Sequence, residues 1–151
     1  MIKVSFNIDD PFWVKEMPLF KKNILKAAKE TLNTAYKSKK NNLEVSFLLT
    51  SDSNIRLLNK NYRNKDKSTN VLAFPMNQNT FGEDYIVGDV VISLQKILSE
   101  SKKLQIQKYK YLSQITIHGV LHLLGFDHKS NKEHKEMNKI EQKVFKKIFS
   151  Q

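Results

Sequence analysis

An α+β domain is the fold this sequence predicts: one mixed sheet of about four strands, with helices packed mainly on one face. Three observations carry that expectation. Short apolar–polar alternations read as strands, and longer stretches with apolar residues three and four apart read as helices. The two kinds follow one another as β-α-β-α-β-β-α-α-α, without the strict alternation of a parallel α/β fold. At 151 residues, 40% of them hydrophobic, the chain suffices for one domain, residues 1–151, with its own core. No repeat or linker divides it.

Each element has a local reason. Residues 2–8, IKVSFNI, place Ile2, Val4, Phe6 and Ile8 on one face of a half-buried strand. Residues 18–37 carry Leu19, Phe20, Ile24, Ala27, Ala28, Leu32 and Ala35 at helical spacing, with Pro18 at a position a helix start accepts. The polar run KSKKNN at 37–42 is a turn, and LEVSFLLT at 43–50 is a strand. Ser51 or Ser53 caps a helix running through Ile55, Leu58 and Tyr62, which NKDKSTN then breaks. VLAF at 71–74 is a short strand stopped by Pro75, and residues 76–85 form a loop. IVGDVVIS at 86–93 is a further strand, whose internal Gly88 signals a bulge or a close backbone approach. Ser93 opens a short helix to about Ser101, and a longer helix spans about 105–124. Ser130 with Glu133 reads as a capping box for a last helix, whose apolar stripe is Met137, Ile140, Val144 and Ile148.

Composition narrows the function classes. No run of about 18 apolar residues is present, so no membrane span is expected, and the N-terminal MIKVSFNIDD lacks a secretory pattern. Cysteine is absent, which fits a reducing cytoplasm and excludes thiolate metal sites, so any transition metal must be held by nitrogen and oxygen. The formal net charge of +11 favours a polyanionic partner. A Lys and Asn excess also arises from compositional drift in AT-rich genomes, which requires no RNA. Arg56 and Arg63 are the only arginines in the chain. Arg63 stands out because the planar guanidinium fork matches phosphate oxygens, whereas Lys is a point charge.

The stretch HGVLHLLGFDH, residues 118–128, holds three of the four histidines. His118 and His122 are one helical turn apart, so both imidazoles reach one ion. Gly125 ends the helix, and His128 swings back after the turn. The pattern H-x-x-x-H-x-x-G-x-x-H has the spacing of a metzincin zinc site, and three neutral imidazoles leave an open fourth position. The expectation is one Zn²⁺ per chain at the end of a core helix, held by His118, His122 and His128; nickel or copper suits the same nitrogens. Zincins carry a glutamate base directly after the first histidine, and here that position is Gly119, which argues against ordinary proteolysis. Asp127 either orients a ligand imidazole or caps the turn. His134, early in the last helix, is expected to be solvated and not a ligand.

LNKNYRNKDKSTNVLAFP at 58–75, GDVVIS at 88–93 and HGVLHLLGFDH at 118–128, in that order, resemble the YbeY endoribonucleases, bacterial rRNA maturation factors. The resemblance covers essentially the whole chain. Ala73 departs from it, standing where the family commonly has Ser, and residues 76–85 are particular to this chain. It implies a single-strand-specific, zinc-dependent endoribonuclease that matures the 3′ end of small-subunit (16S) rRNA and serves ribosome quality control in the cytoplasm. The implied metal ligands are His118, His122 and His128, and the implied catalytic residues are Arg63 and His118. Asp89 of the GDV block is assigned to the fold or to support of the site. The implied partners are single-stranded RNA, ribosomal RNA and ribosomal particles, not DNA or membrane. Two other readings stay open: a metallopeptidase-like hydrolase without the usual glutamate, and a zinc-stabilised ribosome-binding module.

Overall fold

In a computed structural model describing residues 1–36, 42–79 and 84–150, four strands form one mixed sheet in the order β1-β2-β4-β3. The elements are β1 (Ile2–Ile8), α1 (Phe12–Glu16), α2 (Phe20–Ala35), β2 (Asn42–Thr50), α3 (Asp52–Arg63), β3 (Val71–Asn79), β4 (Asp84–Ser93), α4 (Leu94–Leu104), α5 (Lys108–Leu123) and α6 (Asn131–Phe149). β1, β2 and β4 run parallel, and β3 pairs antiparallel with β4. Among the described helices, none is long and apolar enough to cross a membrane.

The alternation read in the sequence decides which face each strand buries. Leu43, Val45, Phe47 and Leu49 of β2 point into the main core with Val90 and Ile92 of β4. They meet Ile24, Ala28 and Leu32 of α2 and Leu112, Val120 and Leu123 of α5. Each Val, Leu, Ile or Phe among these contributes about 1.5–3 kcal/mol by leaving water. α6 forms an outer layer, where Met137 and Val144 lie on Ala27 of α2 and on Ile117 and Leu121 of α5. The opposite face receives α3, whose Ile55 meets Leu72 and Val91. Helices therefore do lie mainly on one face, with α5 enclosed between the sheet and α6.

The structure departs from the sequence expectation in particular places. α1 was not anticipated. The Asp10 side chain accepts from the Phe12 backbone N–H at 2.9 Å and so starts α1. Trp13 is fully buried, and its indole N–H donates to the Thr50 carbonyl at 3.0 Å. α2 consequently begins at Phe20 rather than at Pro18. Pro75 does not stop β3, and residues 76–79 and 84–85, expected in a loop, are strand. Among the described residues β3 is an edge strand paired only with β4, so a missing N–H there is tolerated. The ladder loses register between Pro75 and Gln78 instead of ending, with Asn77 at φ 50°. α4 extends to Leu104, past the expected Ser101, and α5 starts at Lys108. The turn expected at 37–42 falls, except for Asn42, outside the described residues.

Gly88 fulfils its expectation on both counts. The β2–β4 register shifts between Glu44 and Val45, next to Gly88. At φ 150°, a Cβ on Gly88 would lie 2.5 Å from the Phe74 carbonyl and 2.8 Å from Leu123 Cδ2. A side chain there would push β3 and the end of α5 away from β4.

Candidate metal centre

The end of α5 sets the first two histidines. His118 and His122 are part-buried and four residues apart, and their Nε2 atoms face each other at 3.1 Å. After Leu124 the helix stops. Gly125, at φ 95°, donates its N–H to the His122 carbonyl, and Phe126 N–H donates to the Leu121 carbonyl, both at 3.1 Å. Among the described residues, no atom beyond the adjoining two residues lies within 4 Å of a Cβ built on Gly125, so its backbone conformation, not a lack of room, calls for glycine. The reversal returns His128 to the pair, its ring centroid 4.8 Å from that of His118 and 4.9 Å from that of His122. One ligand nitrogen from each ring lies within 4.8 Å of the others.

Three imidazoles are a donor set that suits a small divalent ion, with His118 and His122 already at ligand spacing and the full set within 4.8 Å, so the rings close in to share one ion. Zn–N bonds of about 2.0–2.1 Å in a tetrahedral site place two ligand nitrogens roughly 3.3 Å apart. The His118–His122 separation is close to that spacing. A ligand imidazole must be neutral, and burial, followed by the neighbouring His118 and His128, holds the His122 pKa below its ordinary value. His118 is oriented from outside the cluster. Its Nδ1–H donates to Glu141 Oε1 of α6 at 2.7 Å, which leaves the Nε2 lone pair facing the other rings.

Glu141 is the site residue that sequence reasoning missed. Its only local signal is its place directly beside Ile140 of the α6 stripe. Its partner lies 23 residues back, and the two meet because α6 docks on α5. Asp127 takes the turn role: its carboxylate accepts the His128 backbone N–H at 2.7 Å, which lowers its pKa. His134 is exposed, 5.8 Å from His128 between ring centroids, and stands outside the three-histidine group.

Gly119 has a packing reason to lack a side chain. A Cβ at that position would come within 2.9 Å of Val90 Cγ1 and 3.2 Å of Val71 Cγ2. The site where a zincin carries its base is therefore pressed against the sheet. Arg63 ends α3 and is tethered elsewhere. Its Nη2 donates to the Ala73 carbonyl at 2.9 Å, and its guanidinium lies 6.0 Å from the Phe74 ring centroid. The structure thus gathers the three histidines, while the described contacts of Arg63 are to β3. Asp89 accepts the Ser46 hydroxyl across β2 and β4, a role in the fold.

The family model described as Endoribonuclease YbeY matches residues 13–149. This chain belongs to the YbeY endoribonuclease family. A YbeY endoribonuclease of Neorickettsia sennetsu is 37% identical over 145 residues, covering 96% of this chain and 96% of the relative. The YbeY endoribonuclease of Aquifex aeolicus is 42% identical over 109 residues, 72% of each chain. The fold is similar to the solution structure of a Thermotoga maritima protein, with TM-score 0.58 and 22% identity over 99% of this chain and 89% of that one.

Proposed function

We propose that this chain is a zinc-dependent endoribonuclease specific for single strands, acting in the cytoplasm on the 3′ end of 16S rRNA and in ribosome quality control. The observation that carries the reading is the grouping of His118, His122 and His128, one ligand nitrogen from each within 4.8 Å of the others, in a chain of the YbeY family. In this reading all three hold one Zn²⁺, which when bound supplies Lewis acidity toward a phosphate oxygen. Glu141 keeps the proton on His118 Nδ1 and the ring in its ligating orientation. His118 is assigned to catalysis as well as to the metal. Arg63 presents its fork to phosphate oxygens and stabilises the charge that builds during cleavage. The lysine-rich surface tracks the RNA backbone, and ribosomal RNA within ribosomal particles is the proposed target. The close packing at Gly119 disfavours a peptidase, because the position of the usual base has no room for one.

The test is cleavage of a labelled single-stranded RNA by purified protein. Cleavage that disappears with a chelator and returns with added zinc supports the reading. Chelator-resistant cleavage, or none at all with a full complement of zinc, rejects it.

A further inference from the structure

Beside its apolar face the last helix carries a polar stripe, Asn138, Glu141 and Gln142, that meets the apolar face at Phe145. Asn138, Glu141, Gln142 and Phe145 recur at intervals of three and four, so they share one side of α6. That side faces Gln114 and His118, themselves one turn apart on α5. Between the helices lies a cavity of about 430 Å³, the size of a small-molecule site. His118 and Glu141 form part of its wall, so it borders the histidine cluster on the Nδ1 side of His118.

We propose that this cavity is a subsite for one unpaired nucleobase of the RNA, next to the phosphate that is cut. The inference rests on the endoribonuclease reading and adds a residue-level determinant of substrate choice. The lining has the chemistry a base requires. Phe145 is part-buried, packed on the apolar seam of α5 and α6 and paired with Phe149 at 4.7 Å between ring centroids, and the part of it that lines the cavity gives a base an aromatic edge or face to meet. Gln114, Asn138 and Gln142 are exposed amides, each able to donate and to accept along a base edge. Lys146 also lines the cavity, and Lys139 and Lys143 are exposed on the same helix, so the flanking backbone phosphates find positive charge. Glu141 is occupied by His118, which leaves the amides to read the base. A base held here and a phosphate at the histidines would meet opposite sides of the same imidazole, consistent with neighbouring parts of one nucleotide chain.

The experiment measures binding, so that it stands apart from cleavage. The probes are a short 2′-O-methyl oligonucleotide, checked to stay intact, and a series with one abasic position each, titrated by fluorescence anisotropy into zinc-loaded protein. One abasic position should weaken binding by about tenfold or more, the size of a lost base–aromatic stack. Gln142→Ala and Phe145→Leu should shrink that penalty to less than about twofold, and Phe145→Tyr should preserve it. Circular dichroism and zinc content show whether each variant is folded and loaded. Equal penalties at every position, or a penalty unchanged in both Gln142→Ala and Phe145→Leu, overturn the subsite. A base-dependent penalty in protein that does not cut RNA would reject the catalytic reading and leave the subsite standing.

Discussion

The histidine cluster and Arg63 are held in opposite ways. His118 and His122 have short, stiff side chains on one turn of a buried helix, so the backbone alone nearly fixes where their nitrogens go. The glycine turn then delivers His128 within eleven residues of the start. Arg63 is exposed at the end of a surface helix, with a long side chain of many rotamers. One hydrogen bond to the Ala73 carbonyl gives it a direction. The comparison teaches that a site made of short side chains at helical spacing is written in a local pattern. A site that depends on a long side chain is decided by whatever tethers it.

The largest expected effect breaks the histidine side. His122→Ala should lose most of the roughly one zinc per chain, and single-turnover RNA cleavage should fall about 10³-fold, since a Lewis acid is worth several kcal/mol. Metal analysis and cleavage on the same preparation check this, with His134→Ala expected to keep its zinc. Full zinc occupancy in His122→Ala would remove that residue from the ligand set.

Next comes the arginine side. Arg63→Lys keeps the charge but loses the fork, so it should fold, keep its zinc and cleave about 10²–10³-fold more slowly. If Arg63→Lys and Arg63→Ala both cleave at the parental rate, Arg63 serves only to tie α3 to β3.

A smaller effect tests what lies behind the cluster. Glu141→Ala should weaken zinc binding about 10–100-fold, as removal of a carboxylate behind a ligand histidine does. Glu141→Gln, which still accepts from Nδ1–H, should lose less. Chelator competition measures both, and equal affinities for parent and Glu141→Ala would mean that helix geometry alone orients His118.

The smallest effect concerns the tie between α5, α4 and the segment that leads into β3. Tyr111 of α5 donates to Glu100 of α4 at 2.6 Å, and Asn70, just before β3, donates to the same carboxylate oxygen at 3.0 Å. Burial, then the hydrogen bond to Glu100, pushes the Tyr111 pKa up to about 12. A phenol with a pKa raised in the folded state keeps its proton there after the unfolded chain has lost it. Its contribution to stability is therefore full below about pH 10 and is lost as pH rises from there through about 12. Tyr111→Phe should cost about 1 kcal/mol at neutral pH and flatten this alkaline decline, read by denaturant unfolding at several pH values. An unchanged alkaline decline in Tyr111→Phe would assign it to other groups.

Much of this was legible because local physics decided it. The strand faces of β1 and β2, the helical stripes of α2 and α6, the Ser130 cap, and the close approach at Gly88 each follow from spacing or from one residue's steric demand. So does the histidine pattern, since a helix turn and a left-handed glycine need no distant partner. The tertiary structure alone decided the rest. α1 forms because Trp13 is buried against Thr50, 37 residues away. β3 passes through Pro75 because it lies at the edge of the sheet, which no local pattern announces. Glu141 reaches His118, and the amide-lined cavity forms, only where α6 settles on α5. Spacing along a chain determines which side chains share a face of one element. Which faces meet depends on how the elements bury their apolar stripes together.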